Sequence, residues 1–161
     1  MEVHRKEVTM LEFSTAGIKV KYAVETTSGT MPTTGFTTLP NIKSTPDFNA
    51  EPSNLDVTDL SDLVWKRSIS GLKDVGGALS FTANLTQEFK TAWETLVSAA
   101  TTGFADQKAT WFEIAIPNFD SFYFSGMPSE LGVKGFEVDS VAEVDAYVSP
   151  NQIKGWAAAS N

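Results

Sequence analysis

The longest regular pattern in this sequence is an alternation of side-chain types over residues 136–148. One set of positions is small or apolar, and comprises Phe136, Val138, Ser140, Ala142, Val144, Ala146 and Val148. The intervening set is mostly acidic, and comprises Glu137, Asp139, Val141, Glu143, Asp145 and Tyr147. Because successive side chains of a β-strand point to opposite faces, the pattern predicts one strand roughly 43 Å long, with a packed face and an acidic face.

Shorter patterns predict further strands and an antiparallel arrangement. Strands are expected over residues 17–25, 36–42, 63–69, 78–84, 109–116 and 121–126. Residues 117–120 read as the turn of a hairpin, and Pro40 places the strand it interrupts at a sheet edge. Gly71, Gly76 and Gly77 are expected in turns or bulges.

One segment has helical rather than strand periodicity. Apolar residues recur along a single stripe, at Leu85, Phe89, Ala92, Trp93, Leu96, Val97 and Ala100. The pattern predicts a helix over residues 86–101, capped by Asn84 or Thr86 and ended by Gly103. The predicted core therefore contains Val20, Tyr22, Phe89, Trp93, Leu96 and Ile114. The expected fold is mainly β, an antiparallel sandwich or partial barrel flanked by one α-helix.

A long segment between the early strands lacks a regular pattern. Residues 43–62 contain two prolines, five acidic residues and few large apolar side chains. A loop of this length is uncommon in a compact domain unless it is functional or is ordered by a partner. Part of it, residues 54–60, could pair as an extended strand with Leu55 and Val57 on one side. We expect the segment to be mobile in the isolated chain.

Composition limits the possible functions. The chain has 161 residues, a formal net charge of −8, no Cys and a single His, His4. It lacks the basic surface of a nucleic-acid reader, and Cys-based chemistry is excluded. No catalytic residue, metal site or cofactor is predicted. Glu113 and Asp120 are expected to be solvated rather than to form an acid–base pair. Calcium binding by Asp56, Asp59 and Asp62 stays open, although a calcium loop would carry more ligands and a glycine.

The order of several motifs resembles the major tail proteins, or tail tube proteins, of long-tailed bacteriophages. The acidic segment from Glu51 leads into Leu63-Val-Trp-Lys-Arg, a Gly71-Leu-Lys-Asp turn and a Gly76-Gly step. Gly29-Thr-Met-Pro, the helix with Trp93, Trp111-Phe-Glu-Ile and Phe122-Tyr-Phe-Ser-Gly also agree in order and spacing. The resemblance covers residues 17–156. It divides the chain into a flexible N-terminal arm (residues 1–16), one tail-tube domain (residues 17–156) and a C-terminal tail (residues 157–161).

The resemblance implies a structural virion protein that is not an enzyme. Six copies would form a ring, and stacked rings would form a hollow tube that conducts DNA without binding it specifically. Its partners would be further copies, the tape measure, tail terminator and distal tail proteins. Assembly would take place in the bacterial cytoplasm, with no membrane partner. Residues 43–62 would be a long loop that, with the N-terminal arm, reaches the next ring. Candidate inter-ring contacts in this loop are Asp47, Phe48, Glu51, Leu55, Val57 and Asp59. Candidate lumen-facing residues are Glu137, Asp139, Glu143 and Asp145.

Three alternatives stay open from the sequence. The acidic residues of 136–148 could face outer solvent instead of a lumen. The chain could be a monomeric β-sandwich that binds or decorates a phage particle through an aromatic patch. An enzyme with two carboxylates in a pocket is the third.

Overall fold

The computed structural model describes residues 12–161, in which nine strands and one helix follow one another. The elements before the helix are β1 (Lys19–Val24), β2 (Thr37–Leu39), β3 (Ile42–Ser44), β4 (Pro52–Asp56), β5 (Ser68–Lys73) and β6 (Leu79–Asn84). The helix α1 (Gln87–Ala105) and the strands β7 (Thr110–Ala115), β8 (Ser121–Pro128) and β9 (Glu143–Ala157) complete the chain. The predicted residues 1–11 of the N-terminal arm, with His4, lie outside the described part.

Seven strands form one antiparallel sheet that is nearly a barrel. Its order is β2-β1-β7-β8-β9-β6-β3, so β2 and β3 lie at opposite edges. Only Pro40 and Asn41 separate these two strands in the sequence, which keeps their ends within about 11 Å of each other. The sheet must therefore curl until its edges approach. The prediction of a mainly β, antiparallel, barrel-like fold with one helix is confirmed.

The hydrophobic core lies between the concave face of this sheet and α1. Phe112 and Phe124 are paired across β7 and β8, with ring centroids 5.1 Å apart, and Phe81 of β6 stacks beside both. From the helix, Phe89 and Trp93 enter the same core and are fully buried. The six predicted core residues Val20, Tyr22, Phe89, Trp93, Leu96 and Ile114 all lie in this cluster.

The two ends of α1 have different causes. Thr86 is the N-cap, because its Oγ1 accepts a hydrogen bond from the Phe89 amide at 3.0 Å. The expectation that Gly103 ends the helix is wrong, since α1 continues to Ala105. A Cβ at Gly103 would lie 2.7 Å from Cγ1 of Val24. This glycine therefore allows the helix to pack closely on β1.

Two strand predictions need correction. Residues 136–142 are not part of a strand, because Asp139 has φ of 60° and turns the chain out of extended conformation. The strand β9 begins only at Glu143 and continues to Ala157, helped by register shifts against β8. Of the predicted strand over residues 63–69, only Ser68 and Ile69 are extended, as the start of β5.

Irregular chain covers part of the sheet's convex face. Phe36 packs edge-on against Tyr123 with ring centroids 6.0 Å apart. The last residues cross the same region, where the Asn161 amide donates to the carbonyl of Thr33 at 3.3 Å. The predicted C-terminal tail is thus packed against the sheet. Near the other terminus, the Phe13 ring lies 5.6 Å from Phe119.

Candidate functional site

The most exposed ordered feature is the hairpin of β4 and β5, residues 52–73. These two strands form a sheet of their own, in which Leu55 lies opposite Ile69. Residues 51–61 and 63–70 are all exposed. A two-stranded hairpin without a packed face is marginally stable in water. Its order therefore has to come from hydrogen bonds at its tip or from another surface.

The tip of the hairpin, residues 57–67, is organised by a polar network around one arginine. Arg67 donates from Nε to Asp62 Oδ2 at 2.8 Å and from Nη2 to Asp59 Oδ2 at 3.1 Å. Its amide also donates to Thr58 Oγ1 at 2.8 Å. The carboxylates predicted as an alternative calcium cluster thus hold the loop together themselves. Within residues 12–161, no group of three or more His, Asp or Glu side chains could hold a metal ion.

These hydrogen bonds lower the pKa values of three aspartates. The pKa of Asp56 falls because its carboxylate accepts from the Thr58 side chain and amide. Bonds from the Ser61 side chain and amide lower that of Asp59, and the Asp59 amide and then Arg67 lower that of Asp62. The tip therefore keeps its charged form in mildly acidic solution.

The same hairpin exposes an unusual amount of apolar surface. Its large exposed apolar side chains are Leu55, Val57, Leu60, Leu63, Val64, Trp65, Ile69 and Leu72. Trp65 is 82% exposed and Leu60 fully so. Large exposed apolar patches mark sites of interaction with other molecules, so the hairpin is a candidate interaction site. The predicted inter-ring loop ended at residue 62, so sequence analysis missed residues 63–72 as a site, although the run Leu63-Val-Trp in a polar neighbourhood was the available signal.

The predicted inter-ring residues divide between two locations. Leu55, Val57 and Asp59 belong to the hairpin, whereas Asp47 and Glu51 lie exposed before it. Phe48 is partly buried, with its ring 4.8 Å from Phe122 and 4.7 Å from Phe124. It therefore anchors the segment to the core. The description of residues 43–62 as a loop is correct only in part, because β3 ends and β4 lies within it.

The four predicted lumen residues do not share one strand face. Glu137 and Asp139 are exposed in the chain before β9, and Glu143 and Asp145 lie on β9 itself. The latter two are next to lysines: Lys43 contacts Glu143, and Lys134 lies 3.4 Å from Asp145. The hydrogen bond and charge of Lys43 are the main causes that lower the pKa of Glu143. The convex surface of β9 is therefore mixed in charge, not acidic.

A buried carboxylate on the convex face was not anticipated. Glu113, expected in solvent, is fully buried beneath the C-terminal residues. Tyr123 Oη lies 2.6 Å from its Oε2, and Ser160 donates from its amide at 2.9 Å and its hydroxyl at 2.7 Å. Burial disfavours the charged form, but these hydrogen bonds outweigh it and lower the pKa of Glu113. Burial and this carboxylate raise the pKa of Tyr123. Asp120 is exposed, so the two residues form no catalytic pair.

Glu25 plays a similar part at the end of β1. It is buried and accepts hydrogen bonds from the amides of Gly29 and Ala109 and from Trp111 Nε1, at 3.1, 2.9 and 3.0 Å. Burial raises its pKa, and these three bonds together lower it further than burial raises it. Both buried carboxylates join segments that are distant in sequence, and the oxygens of both are taken up by hydrogen bonds from protein groups. Their role is structural.

In the described chain, α1 is too polar to cross a membrane, and no other helix is present there that could.

Comparison with known proteins identifies the fold but no sequence family. No protein-family model and no curated protein matches the sequence. Among solved structures, a chain in the tail of an empty GTA particle, refined helically with C6 symmetry, is 16% identical with a TM-score of 0.52. The match covers 91% of this chain and 100% of that one. A chain of the six-fold symmetrised anti-feeding prophage (AFP) baseplate is 6% identical with a TM-score of 0.53, covering 91% and 96%. The chain shares its fold with components of these tail and baseplate particles.

Proposed function

We propose that this protein is a structural subunit of a phage-type tail, and more specifically a tail tube protein. Six copies form a ring, rings stack into a hollow tube, and DNA passes through the tube without specific binding. The finished tube is part of the virion. The partner of each subunit is first of all another copy of itself, and the role is mechanical rather than catalytic.

The observation that carries the proposal is the exposed apolar surface of the β4–β5 hairpin. In a monomer this surface would face water at a cost of about 25 cal/mol per Å² of apolar area. Contact with another copy removes it from water and also gives the marginal hairpin a surface on which to order. The shared fold supports the assembly itself, because both similar chains come from particles with six-fold symmetry.

The polarity of the lumen is a separate part of the proposal. Glu137 and Asp139 are the better candidates to face DNA, because both are exposed and neither lies within 4 Å of a basic side chain in the described chain. Glu143 and Asp145 are largely compensated by lysines. Carboxylates in the lumen would repel phosphates and let DNA slide.

Electron microscopy of the purified full-length protein, with its mass in solution, tests the proposed function. We expect rings of six copies and tubes at high protein concentration. Small particles of monomeric mass at every concentration would contradict the proposal. They would favour the alternative of a monomeric binding or decoration module, for which the exposed aromatic side chains of Phe119 and Trp156 are the supporting feature.

A further inference from the structure

A groove runs along α1, between the helix and the chain that follows β8. Its cavity of about 740 Å³ lies between the helix and residues 130–133. The groove contains the apolar side chains Leu85, Trp93, Val97, Leu131 and Val133, with Lys90, Glu94 and Glu130 among its polar residues. This volume lies in the range of about 300–1,000 Å³ that is typical of binding sites.

The groove is a consequence of how the chain leaves β8. Trp93 Nε1 donates to the carbonyl of Ser129 at 2.7 Å, which holds the chain against the helix at that point. Leu131 also packs against the core, whereas Val133 is 74% exposed. One wall is thus the helix, and the other is a segment held at Ser129 and Leu131 with Val133 open to solvent.

The charges of the groove and of the hairpin tip are complementary. In the groove, Lys90 pairs with Glu94 at 2.6 Å, and Glu130 is more than 4 Å from any basic side chain of the described chain. At the tip, Arg67 is occupied by Asp59 and Asp62. Its neighbour Lys66 is exposed, with no carboxylate within 4 Å in the same part of the chain. The groove therefore presents a free negative charge and the tip a free positive one.

We propose that the hairpin tip of one copy docks in the α1 groove of a neighbouring copy. Trp65 enters the cavity, and Lys66 lies beside Glu130 at its edge. The proposal rests on the proposed self-assembly and names the surface that receives the hairpin. Tip and groove are different surfaces, so the contact is heterologous, and its repetition gives either a closed ring or an open stack.

Two single variants test the contact at residues whose change leaves the core intact. Trp65→Ser removes the tip side chain, and Val133→Asp places a charge in the groove. Each should raise the protein concentration needed for half-assembly by about 30-fold or more, as expected for a buried aromatic anchor. Val138→Asp is the matched control, because Val138 is 97% exposed on the same segment but outside the groove. Normal assembly of Val133→Asp would overturn the proposal.

Mixing the two variants tests the heterologous geometry. Trp65→Ser keeps an intact groove and Val133→Asp an intact tip, so an equimolar mixture can form one good contact per pair. We expect dimers containing one copy of each variant, measured by mass. Absence of these dimers would overturn the proposal. Loss of assembly in Trp65→Ser while Val133→Asp assembles normally would overturn it too, because that result indicates pairing of one tip with another.

A charge exchange tests the proposed ion pair. Lys66→Glu and Glu130→Lys should each weaken assembly, and the double variant should recover most of the loss, because the pair is restored with reversed sign. Additive losses in the double variant would contradict the pairing. A wild-type protein that stays monomeric would contradict both this proposal and the proposed function. If the wild type forms tubes and the groove variants form them equally well, only the docking proposal is contradicted.

Discussion

The curled sheet with its helix and the β4–β5 hairpin are both ordered, but they are ordered in different ways. In the sheet and helix, the core aromatic side chains are fully buried, and these are Phe81, Phe112, Phe124 and Trp93. The hairpin has strand pairing and a polar tip network, yet eight of its large apolar side chains remain uncovered. On the proposed function, the sheet and helix fold by themselves, while the exposed surface of the hairpin stabilises the protein only when it contacts another molecule.

Removal of a core aromatic should give the largest effect on stability. Trp93→Ala should lower the free energy of unfolding by about 3–5 kcal/mol, because it leaves a cavity between α1 and the sheet. Trp65→Ala in the hairpin is the matched variant. It should leave the free energy of unfolding, measured by chemical denaturation, unchanged. If Trp93→Ala unfolded at the same denaturant concentration as the wild type, Trp93 would not hold the core together and the comparison would fail.

Two strand glycines provide a second matched pair. A Cβ at Gly126 would lie 2.7 Å from the Ser149 carbonyl oxygen, and one at Gly71 would lie 2.1 Å from Ser53 Oγ. Gly126→Ala should therefore cost about 1–3 kcal/mol of global stability, since backbone atoms of β8 and β9 must move apart. Gly71→Ala should disturb only the hairpin. Thermal unfolding followed by circular dichroism measures the global stability of the two variants. Equal losses of stability would show that the hairpin unfolds together with the sheet and helix.

The buried carboxylate predicts how stability depends on pH. Because folding lowers the pKa of Glu113 below its ordinary 4.5, its ionised form stabilises the fold above that pH. This contribution is lost as the pH falls through the lowered pKa. Glu113→Gln should cost about 1.5–3 kcal/mol at pH 7 and flatten the acid side of the stability profile. Urea denaturation between pH 3 and pH 7 measures both the loss of stability at pH 7 and the shape of the profile at acidic pH.

The hairpin supplies the control for this pH experiment. Asp59 also has a lowered pKa but is exposed, so Asp59→Asn should leave the global profile unchanged. A profile flattened equally by both variants would contradict the distinction between the sheet and the hairpin.

The smallest effect on folding is expected at the proposed lumen residues. Glu137→Lys with Asp139→Lys should lower stability by no more than about 1 kcal/mol, the cost of Lys at the left-handed backbone of position 139, and should leave tube formation unchanged, because both residues are exposed outside the strands. In tubes, the new positive charges should retain DNA in a salt-sensitive manner. Glu88→Lys in the first turn of α1, with Asp106→Lys at its C-cap, is the control, because both residues are exposed. Equal DNA retention by the two variants would place residues 137 and 139 away from the lumen.

The parts of the fold that were predictable are those in which side-chain period and burial agree. The helix stripe with Phe89 and Trp93 and the hairpin of β7 and β8 follow from periodicity alone. The strand over residues 136–148 failed because alternation does not reveal a left-handed residue such as Asp139. Closure of the sheet depends on β2 and β3 reaching opposite edges, which no local pattern encodes.

The candidate site was predictable only in part, because it is recognised by apolar side chains that the rest of the chain leaves exposed, and exposure is known only from the tertiary structure. Leu55 and Val57 were identified from their segment, but Trp65 was assigned to an ordinary strand. Glu113 was placed in solvent because its partners, Tyr123 and Ser160, become neighbours only through strand pairing and the return of the C-terminal residues. Sequence reasoning locates such a carboxylate on a strand, and the tertiary fold decides whether it is buried.

Hydrogen exchange of the same protein as monomer and as tube tests the central claim most directly. We predict that amides of residues 44–73 exchange rapidly in the monomer and become protected in the tube, while those of β7 and β8 are protected in both. Protection of residues 44–73 that is equally strong in the two forms would contradict the account, because the hairpin would then be as stable without a neighbouring copy as with one.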